Sequence, residues 1–337
     1  MKDISVFLGA NSAEGFRSLY EEYIEGQAPG RLWILKGSAG CGKSGLMKRV
    51  ADRAAEGGED VIRVLCSGDP DSLDGVCLPE RGLALFDGTS PHVLEPELTG
   101  ERGFYLDLSR FYIRPAEGLG RWEAACREHY RRAYRLLSAA GSAGAALPFP
   151  EESREAVTGR ALAFARRNLP KGGGSGRVLR FFTDAITCRG VLSLAETRRA
   201  LAPRLISLRG DGARVDLFLR TVMEEALRRG LSPVLCPDPL EPERIAHLLL
   251  PEAGLGLTSG EGDRRIRLDR LGPEPPAEER AKRKEILRLR DALLSKALEE
   301  LASAKKAHDA LEAAAKPCID FSGVTAEGDR ILREIFG

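Results

Sequence analysis

A short glycine-rich segment that ends in lysine and serine has the residue types needed to hold a chain of phosphates. The segment reads Gly37, Ser38, Ala39, Gly40, Cys41, Gly42, Lys43, Ser44 and satisfies the pattern G-x-x-x-x-G-K-[ST]. Glycines let the backbone wrap closely around an anion, with N–H groups pointing inward. Lys43 would neutralise the β- and γ-phosphates, and Ser44 Oγ would bind Mg²⁺. The segment therefore predicts binding of a nucleoside triphosphate, with ATP and magnesium as the expected ligands.

This chemistry requires a strand before the loop and a helix after it. The apolar run Leu32–Leu35 predicts the strand, and the segment from Gly45 to Ala55 predicts the helix. The N-terminal end of that helix adds its positive dipole to the anion site. The surroundings of the loop thus agree with the motif.

A second candidate ligand for the metal follows a later apolar run. Leu83, Ala84, Leu85 and Phe86 precede Asp87, about forty residues after Lys43. An aspartate at the end of such a strand would hold Mg²⁺ through water. The alternative is that Asp87 belongs only to the turn DGTSPH, since aspartate favours turns.

Acidic residues after the second predicted strand are candidates for a general base. Asp69, Asp71 and Asp74 lie in GDPDSLDG, and ligands of open α/β sheets sit beyond the carboxyl ends of the strands. We take Asp69 and Asp71 as catalytic candidates, although both residues also suit turns and helix caps. His92 is a further candidate for the same cleft, with a structural role as its alternative.

The chain reads as two copies of one plan. VFLGANSAEGFRSL near the start aligns with FFTDAITCRGVLSL from Phe181, LWILKG with LISLRG, and LPERGLAL with LPEAGLGL, in the same order. The helical stretches Leu46–Gly58 and Phe218–Gly230 align at a constant offset. We interpret the pattern as a tandem duplication.

The second copy lacks the phosphate-binding residues of the first. At that offset Lys43 corresponds to Val215 and Asp87 to Ser259, and the loop RGDGARVD has no G-K-[ST] ending. Arg214 is a candidate replacement for the lysine, although arginine and lysine are not equivalent in such a cradle. We predict one working site and one structural or regulatory half.

The glycine-rich segment PKGGGSG, Pro170–Gly176, predicts the boundary between the halves. Residues 1–170 would form a P-loop domain and residues 177–337 a degenerate P-loop-like domain. Short apolar runs predict buried parallel strands, and each half reads strand, helix, strand, short helix, strand, then a helical tail. The predicted fold class is α/β, with two three-layer domains built on parallel sheets.

Two long helical segments, Trp122–Ala140 and Ala277–Ala315, form the tails of the two halves. The second has an apolar face that predicts packing against a sheet, with a coiled-coil dimer as the alternative. Both carry basic clusters, which suit either a solvated face or a lid that grips phosphates. The basic residues are Arg127, Arg131, Arg132, Arg135, Lys282, Arg283, Lys284, Arg288 and Arg290.

Composition narrows the possible partners and locations. The 51 basic and 50 acidic residues give a net charge of +1, which does not favour nucleic acid or anionic membranes. No apolar run approaches the roughly 20 residues of a membrane span. The start of the sequence shows no secretory signal. The seven scattered cysteines suit reduced thiols, so we expect a cytoplasmic protein.

The segments GSAGCGKS and LALFD resemble the P-loop NTPase superfamily. The longer pattern, DPDSLDG followed by LPE-x-G-x-A-L-x-D-G-T-x-P-H, is similar to a bacterial family of tandem, ATPase-like P-loop proteins. The resemblance covers nearly the whole chain and implies ATP binding at Gly37–Ser44 and Asp87. It supplies no substrate. Many P-loop ATPases carry a water-activating glutamate where this chain has Gly88, which implies slow hydrolysis or another base.

Three functions fit these features. The first is an ATPase whose first half hydrolyses ATP and moves against the second half. The second is a phosphotransferase related to small-molecule or nucleotide kinases, with an acceptor near residues 69–74. The third is a nucleotide-gated binding protein with little turnover, in which ATP orders a surface for a protein partner.

Overall fold

The computed structural model describes residues 3–90, 93–95, 100–145, 147, 149–174 and 176–337. The first half contains β1 (Asp3–Val6), β2 (Gly9–Ser12), β3 (Gly15–Ser18), α1 (Tyr20–Gln27), β4 (Arg31–Lys36), α2 (Lys43–Glu56), β5 (Val61–Leu65), β6 (Leu73–Leu78), β7 (Leu83–Asp87), β8 (Gly103–Asp107), α3 (Leu119–Ala145) and α4 (Glu151–Asn168). The second half contains β9 (Leu179–Arg180), β10 (Asp184–Thr187), β11 (Gly190–Ser193), α5 (Ala195–Leu201), β12 (Arg204–Arg209), α6 (Gly212–Arg228), β13 (Val234–Pro237), β14 (Ile245–Leu250), β15 (Leu255–Thr258), β16 (Arg264–Arg267), α7 (Ala277–Ala315) and α8 (Phe321–Phe336).

Each half contributes one six-stranded sheet. The first has the order β1-β5-β6-β7-β4-β8, and the second has the order β16-β12-β15-β14-β13-β9. In the first sheet β6 runs antiparallel to both neighbours while the other pairs are parallel. In the second sheet β14 is the antiparallel strand. The α/β class is confirmed, but the prediction of fully parallel sheets is wrong by one strand in each half.

The antiparallel strand β6 occupies the region where the sequence suggested a short helix. All six residues of Leu73–Leu78 are buried, so the segment lacks the alternation that usually reveals a strand. A single 3-10 turn, Pro79–Arg81, follows it and ends at Gly82 with φ 57°. The matching turn in the second half ends at Gly254, also with φ 57°. Both halves therefore reverse direction in the same way before β7 and β15.

The outer face of each sheet is covered by one helix from its own half and one from the other half. On the first sheet, Met47 of α2 packs in one buried cluster with Ile331 and Ile335 of α8. On the second sheet, Phe218 of α6 packs with Val157 of α4. The two halves thus exchange their last helices.

The inner faces of the two sheets share a single buried cluster. Ile34 and Phe86 of the first sheet lie in the same cluster as Leu205 and Leu249 of the second. Alternate residues of a strand point to opposite faces, so neighbouring strand residues fall in the outer clusters. Side chains from both sheets therefore form one shared hydrophobic core between the two halves.

Among the described residues, the long helices α3 and α7 pack mainly against each other and against the two-stranded sheets, not on either six-stranded sheet. Leu137 of α3 and Leu301 of α7 are fully or almost fully buried in a cluster that also contains Ile186 of β10. The predicted helices are confirmed, but the predicted packing of α7 on a sheet is wrong for the six-stranded sheets. With 39 residues, α7 is about 58 Å long at 1.5 Å per residue.

The glycine-rich segment between the halves is docked on α6. The amide of Gly172 donates to the carbonyl of Arg229 at 2.7 Å, and a Cβ on Gly172 would lie only 2.5 Å from the carbonyl oxygen of Gly230. Close backbone approach explains the need for glycine here. All seven cysteines are free thiols. Every helix in the described ranges falls short of either the length or the apolar character of a membrane span.

Candidate functional site

The glycine-rich loop connects the end of β4 to the start of α2, as predicted. Gly37 has φ 140° and Gly42, which caps α2, has φ 99°. These values lie in the region that only glycine adopts readily. A Cβ on Gly37 would also lie 2.6 Å from Sγ of Cys41. Sequence and backbone therefore agree on a tightly wound loop at a helix N-terminus.

Lys43 and Asp87 meet beside this loop. Strands β4 and β7 are parallel neighbours, and Leu35 pairs with Asp87 in their register. Lys43 Nζ lies 3.5 Å from Asp87 Oδ2, with the side chains 9% and 15% exposed. Nζ also donates to the backbone carbonyls of Gly37 and Ser38. A mostly buried ammonium group is thus held between the loop and the carboxylate.

The oxygen atoms near Lys43 suit a magnesium ion. Asp87 Oδ1 accepts hydrogen bonds from the amide and hydroxyl of Thr89 at 2.9 and 2.6 Å, which fixes the carboxylate in its turn. Ser44 Oγ accepts from the amide of Leu73 at 2.9 Å. Hydroxyl and carboxylate oxygens are the ligands that Mg²⁺ prefers, together with phosphate and water. The donor set therefore fits the predicted metal, and Asp87 also has the turn role given as its alternative.

The absence of a glutamate after Asp87 has a steric cause. A Cβ on Gly88 would lie 2.3 Å from Cγ2 of Ile34. Lys36 Nζ donates to the Gly88 carbonyl at 2.9 Å and closes the same space from the other side. No larger residue fits at position 88 without displacing these neighbours. A water-activating glutamate at this position would require Ile34 to move.

The acidic segment 69–74 lies next to the loop, and each aspartate already has partners. Asp69 Oδ2 accepts from Ser72 Oγ at 2.9 Å, which is a turn contact. Asp71 forms an ion pair with Arg189. Asp74 is buried and accepts from the hydroxyl of Tyr20 at 3.0 Å. These contacts give structural roles to all three, and their catalytic role stays a prediction. His92 lies outside the described residues.

Residues from the second half border the loop, and the sequence analysis missed them. A Cβ on Gly40 would lie 3.3 Å from Cβ of Glu312 on α7, and one on Gly42 would lie 3.0 Å from Val324 of α8. Lys305 of α7 lies 3.4 Å from Asp69. No local pattern connects positions so far apart in the chain. The candidate site is built from both halves.

One group on α7 has the residue types of a metal site. His308, Asp309 and Glu312 place one ligand atom each within 4.8 Å of one another. Asp309 is already paired with Lys305, and His308 Nδ1 lies 3.8 Å from Glu312. Their contacts are those of a charged helix surface beside the loop.

The second half repeats the geometry without the phosphate-binding residues. The amide of Ile245 donates to Asp216 Oδ1 at 2.8 Å, just as the amide of Leu73 donates to Ser44 Oγ. The matching contacts align Asp216 with Ser44 and Val215 with Lys43. The structural correspondence therefore agrees with the alignment of the two sequences.

Arg214 does not replace the missing lysine. Its guanidinium pairs with Asp211, donates to Ser153 Oγ at 3.0 Å and lies 5.3 Å from the ring centroid of Phe149. These partners hold the guanidinium of Arg214 against Ser153 of α4 and the neighbouring Phe149. The suggested substitution is wrong because the side chain is committed to packing.

A carboxylate caps the helix of the second loop. Asp211 accepts from the amide of Arg214 at 2.9 Å at the N-terminus of α6. Burial alone would raise the pKa of Asp211, but that amide and the charges of Arg214 and Arg283 outweigh it and lower the pKa. The carboxylate of Asp211 thus occupies the N-terminus of α6, where a bound anion would otherwise interact with the helix dipole.

Comparison with known proteins adds no relative to this description. No family model, curated protein or solved structure matches the chain.

Proposed function

We propose that the first half binds Mg·ATP at residues 37–44 and hydrolyses it slowly, with the second half closing one side of the site. The observation that supports this most is the ion pair between Lys43, the first residue of α2, and Asp87, the last residue of β7, at 3.5 Å. A lysine at the start of a helix and an aspartate at the end of the adjacent strand have the roles required for phosphates and metal.

In this proposal the chain's own groups act by positioning and by charge. Loop amides and the N-terminus of α2 bind the phosphate oxygens. Lys43 exchanges its contacts with the carbonyls of Gly37 and Ser38 for contacts with the β- and γ-phosphates. Ser44 and Asp87 would hold Mg²⁺, which supplies charge neutralisation when bound. Because the loop and carboxylate are already fixed, little reorganisation is needed at the moment of binding.

The second half would contribute positive charge next to the phosphates. Lys305 of α7 and Arg189, between β10 and β11, are each paired with an aspartate of the acidic segment beside the loop. Once these cations exchange their aspartate partners for phosphate oxygens, they would stabilise the charge that develops on a transferring phosphoryl group. Closure of α7 over the loop would bring that charge to the nucleotide.

A nucleotide-gated binding protein is the second candidate. Gly88 leaves no room for a water-activating glutamate, so turnover would be weak. The contacts of Glu312 and Val324 with the loop would carry the nucleotide state to α7 and α8. A partner that is retained only with ATP, together with negligible turnover, would favour this candidate over the ATPase.

Calorimetric titration of the full chain with Mg·ATP tests both candidates. We expect the parent to bind, and Lys43→Ala to bind at least about tenfold more weakly because a charge-assisted contact is lost. Lys48→Ala is the matched control, since Lys48 lies exposed on the same helix. Parent-like binding by Lys43→Ala would refute the proposed site. Phosphate release by the parent then separates hydrolysis from gating.

A further inference from the structure

The second half contains a cavity of about 560 Å³ at the place that corresponds to the candidate nucleotide site. It lies beyond the carboxyl ends of β12 and β15, between the start of α6, residues 238–246 and the first turns of α7. Ligands of α/β sheets bind at this position, and the volume is within the usual range for small-molecule sites. Two residues of the basic cluster on α7, Arg283 and Arg290, line it.

The lining of this cavity argues against a triphosphate. Val215 stands where the first half has Lys43, and Ser259 stands where it has Asp87. The carboxylate of Asp211 already occupies the N-terminus of α6. A phosphate at this position would meet that negative charge instead of a lysine. The residues of this cavity therefore favour a different class of ligand from that predicted for the first half.

Most charges in the lining are paired with each other. Arg283 lies 3.0 Å from Asp211, which also pairs with Arg214. Arg244 lies 2.7 Å from Glu241. These pairs neutralise one another.

Asp269, which also lines the cavity, is paired at 2.6 Å with Arg267 outside the lining. Asp238 and Arg290 are then the two charged lining groups that pair with no other lining residue.

The first of these groups is the carboxylate of Asp238. Its Oδ1 accepts from the amides of Leu240 and Glu241, both at 2.9 Å, so the group is fixed in place. Among the described residues no lysine, arginine or histidine forms an ion pair with it. Burial raises the pKa of Asp238. A positively charged ligand group would offset the cost of that burial.

The second group is the guanidinium of Arg290. Its Nε is buried and lacks a hydrogen-bond partner within the described part of the chain. The nearest carboxylate to Nε, that of Asp291, is 3.6 Å away and is itself 68% exposed. Buried polar atoms without a partner are uncommon in folded proteins. The Arg290 side chain lines the cavity and is 35% exposed, so a ligand carboxylate would form a charge-assisted bond with the accessible part of its guanidinium.

Apolar side chains complete the wall. Leu147, Val215, Ile245 and Leu287 line the cavity between these charged groups. They favour a ligand with an apolar body.

We propose that this cavity binds a small zwitterion with an apolar body, which is the chemistry of a free hydrophobic amino acid. The ammonium group contacts Asp238, the carboxylate contacts Arg290, and the side chain packs on the apolar wall. The first half contributes Gly144 and Leu147 to the lining, but the proposal does not depend on nucleotide binding by the first half.

The test uses the full chain with leucine, isoleucine, valine, methionine and phenylalanine as probes, in thermal shift and calorimetric titrations. We expect at least one of them to bind and to raise the melting temperature. The matching amine without the carboxylate, and the matching acid without the amine, should each bind on the order of tenfold more weakly, because each loses one charge-assisted contact. Absence of binding by all five amino acids would overturn the proposal, as would an amine or acid that binds as tightly as the amino acid.

Variants assign the two contacts. Asp238→Asn and Arg290→Gln should each weaken binding on the order of tenfold, while Arg288→Gln, at an exposed position of the same helix outside the lining, should bind like the parent. If Asp238→Asn does not fold, Arg290→Gln and the analogue series decide the question. Parent-like binding by Arg290→Gln would overturn the assignment. Lys43→Ala should retain amino-acid binding, so failure at the first site is distinguishable from failure here.

Discussion

Phe7 and Phe182 donate a backbone hydrogen bond to each other, with N–O distances of 2.9 and 2.8 Å. The two residues occupy equivalent positions in the aligned halves. Ala10 and its equivalent Ala185 lie in the same buried cluster. Contacts in which residue i meets its own counterpart are typical of twofold interfaces between identical subunits. The two halves of this chain therefore meet as the subunits of a symmetric dimer do.

Exchange of the last helices predicts a large stability effect at α8. Ile331 is fully buried against the first sheet, whereas Leu289 of α7 is 55% exposed. Ile331→Ala should lower the free energy of unfolding by about 2–5 kcal/mol, since it leaves a cavity. Leu289→Ala, the control, should change it by less than about 0.5 kcal/mol. Denaturant unfolding measures both. Equal effects would contradict the docking of α8 on this sheet.

The same exchange predicts that residues 1–170 do not fold alone. That fragment lacks Ile331 and Ile335, and it exposes the face of α4 that carries Val157. We expect no cooperative unfolding by circular dichroism and rapid proteolysis of the isolated fragment. Co-expression with residues 171–337 should restore a protease-resistant complex. Cooperative unfolding of the isolated fragment, with a transition like that of the full chain, would refute this prediction.

Gly88 predicts the outcome of an attempt to install the missing glutamate. A side chain there meets Ile34 at 2.3 Å, so Gly88→Ala should cost about 1–3 kcal/mol of stability. Gly88→Glu should be destabilised further and should not release phosphate faster. Gly159→Ala on the exposed face of α4 is the control and should gain up to about 1 kcal/mol. A stable Gly88→Glu protein with faster turnover would show that the space can open.

Asp211 predicts a pH-dependent contribution to stability. Its pKa is lower in the folded state than in the unfolded chain, so its stabilising effect is present above about pH 4 and is lost as the pH falls further. Asp211→Asn keeps a capping oxygen but removes the charge. The variant should be less stable than the parent at pH 7, and the difference should shrink as the pH falls below about 4. A difference that is constant across this range would argue against the charge effect.

The sequence predicted the local backbone of the candidate site, the strand, glycine loop and helix, because each depends on neighbouring residues only. A loop that requires positive φ must carry glycine, which marks Gly37 and Gly42 in the sequence. An apolar run that ends in an aspartate marks Asp87 as the residue at the carboxyl end of a buried strand. The long helices were also predictable, because α7 begins and ends where its pattern does.

The parts that could not be predicted depend on contacts between distant residues. Leu73–Leu78 is buried throughout, so periodicity could not separate strand from helix. The packing of α8 beside α2 depends on the path of the chain after α7, which no local pattern records. For the same reason Lys305 and Arg189 gave no signal of their proximity to the acidic segment.

The helix exchange also sets the order in which the molecule can be completed during synthesis. The first sheet is made early, but its outer face stays exposed to water until Ile331 and Ile335 have left the ribosome. Until then the nascent chain presents an apolar surface of the kind that chaperones bind. The phosphate-binding loop therefore acquires its neighbours on α7 and α8 only after the whole second sheet has been synthesised.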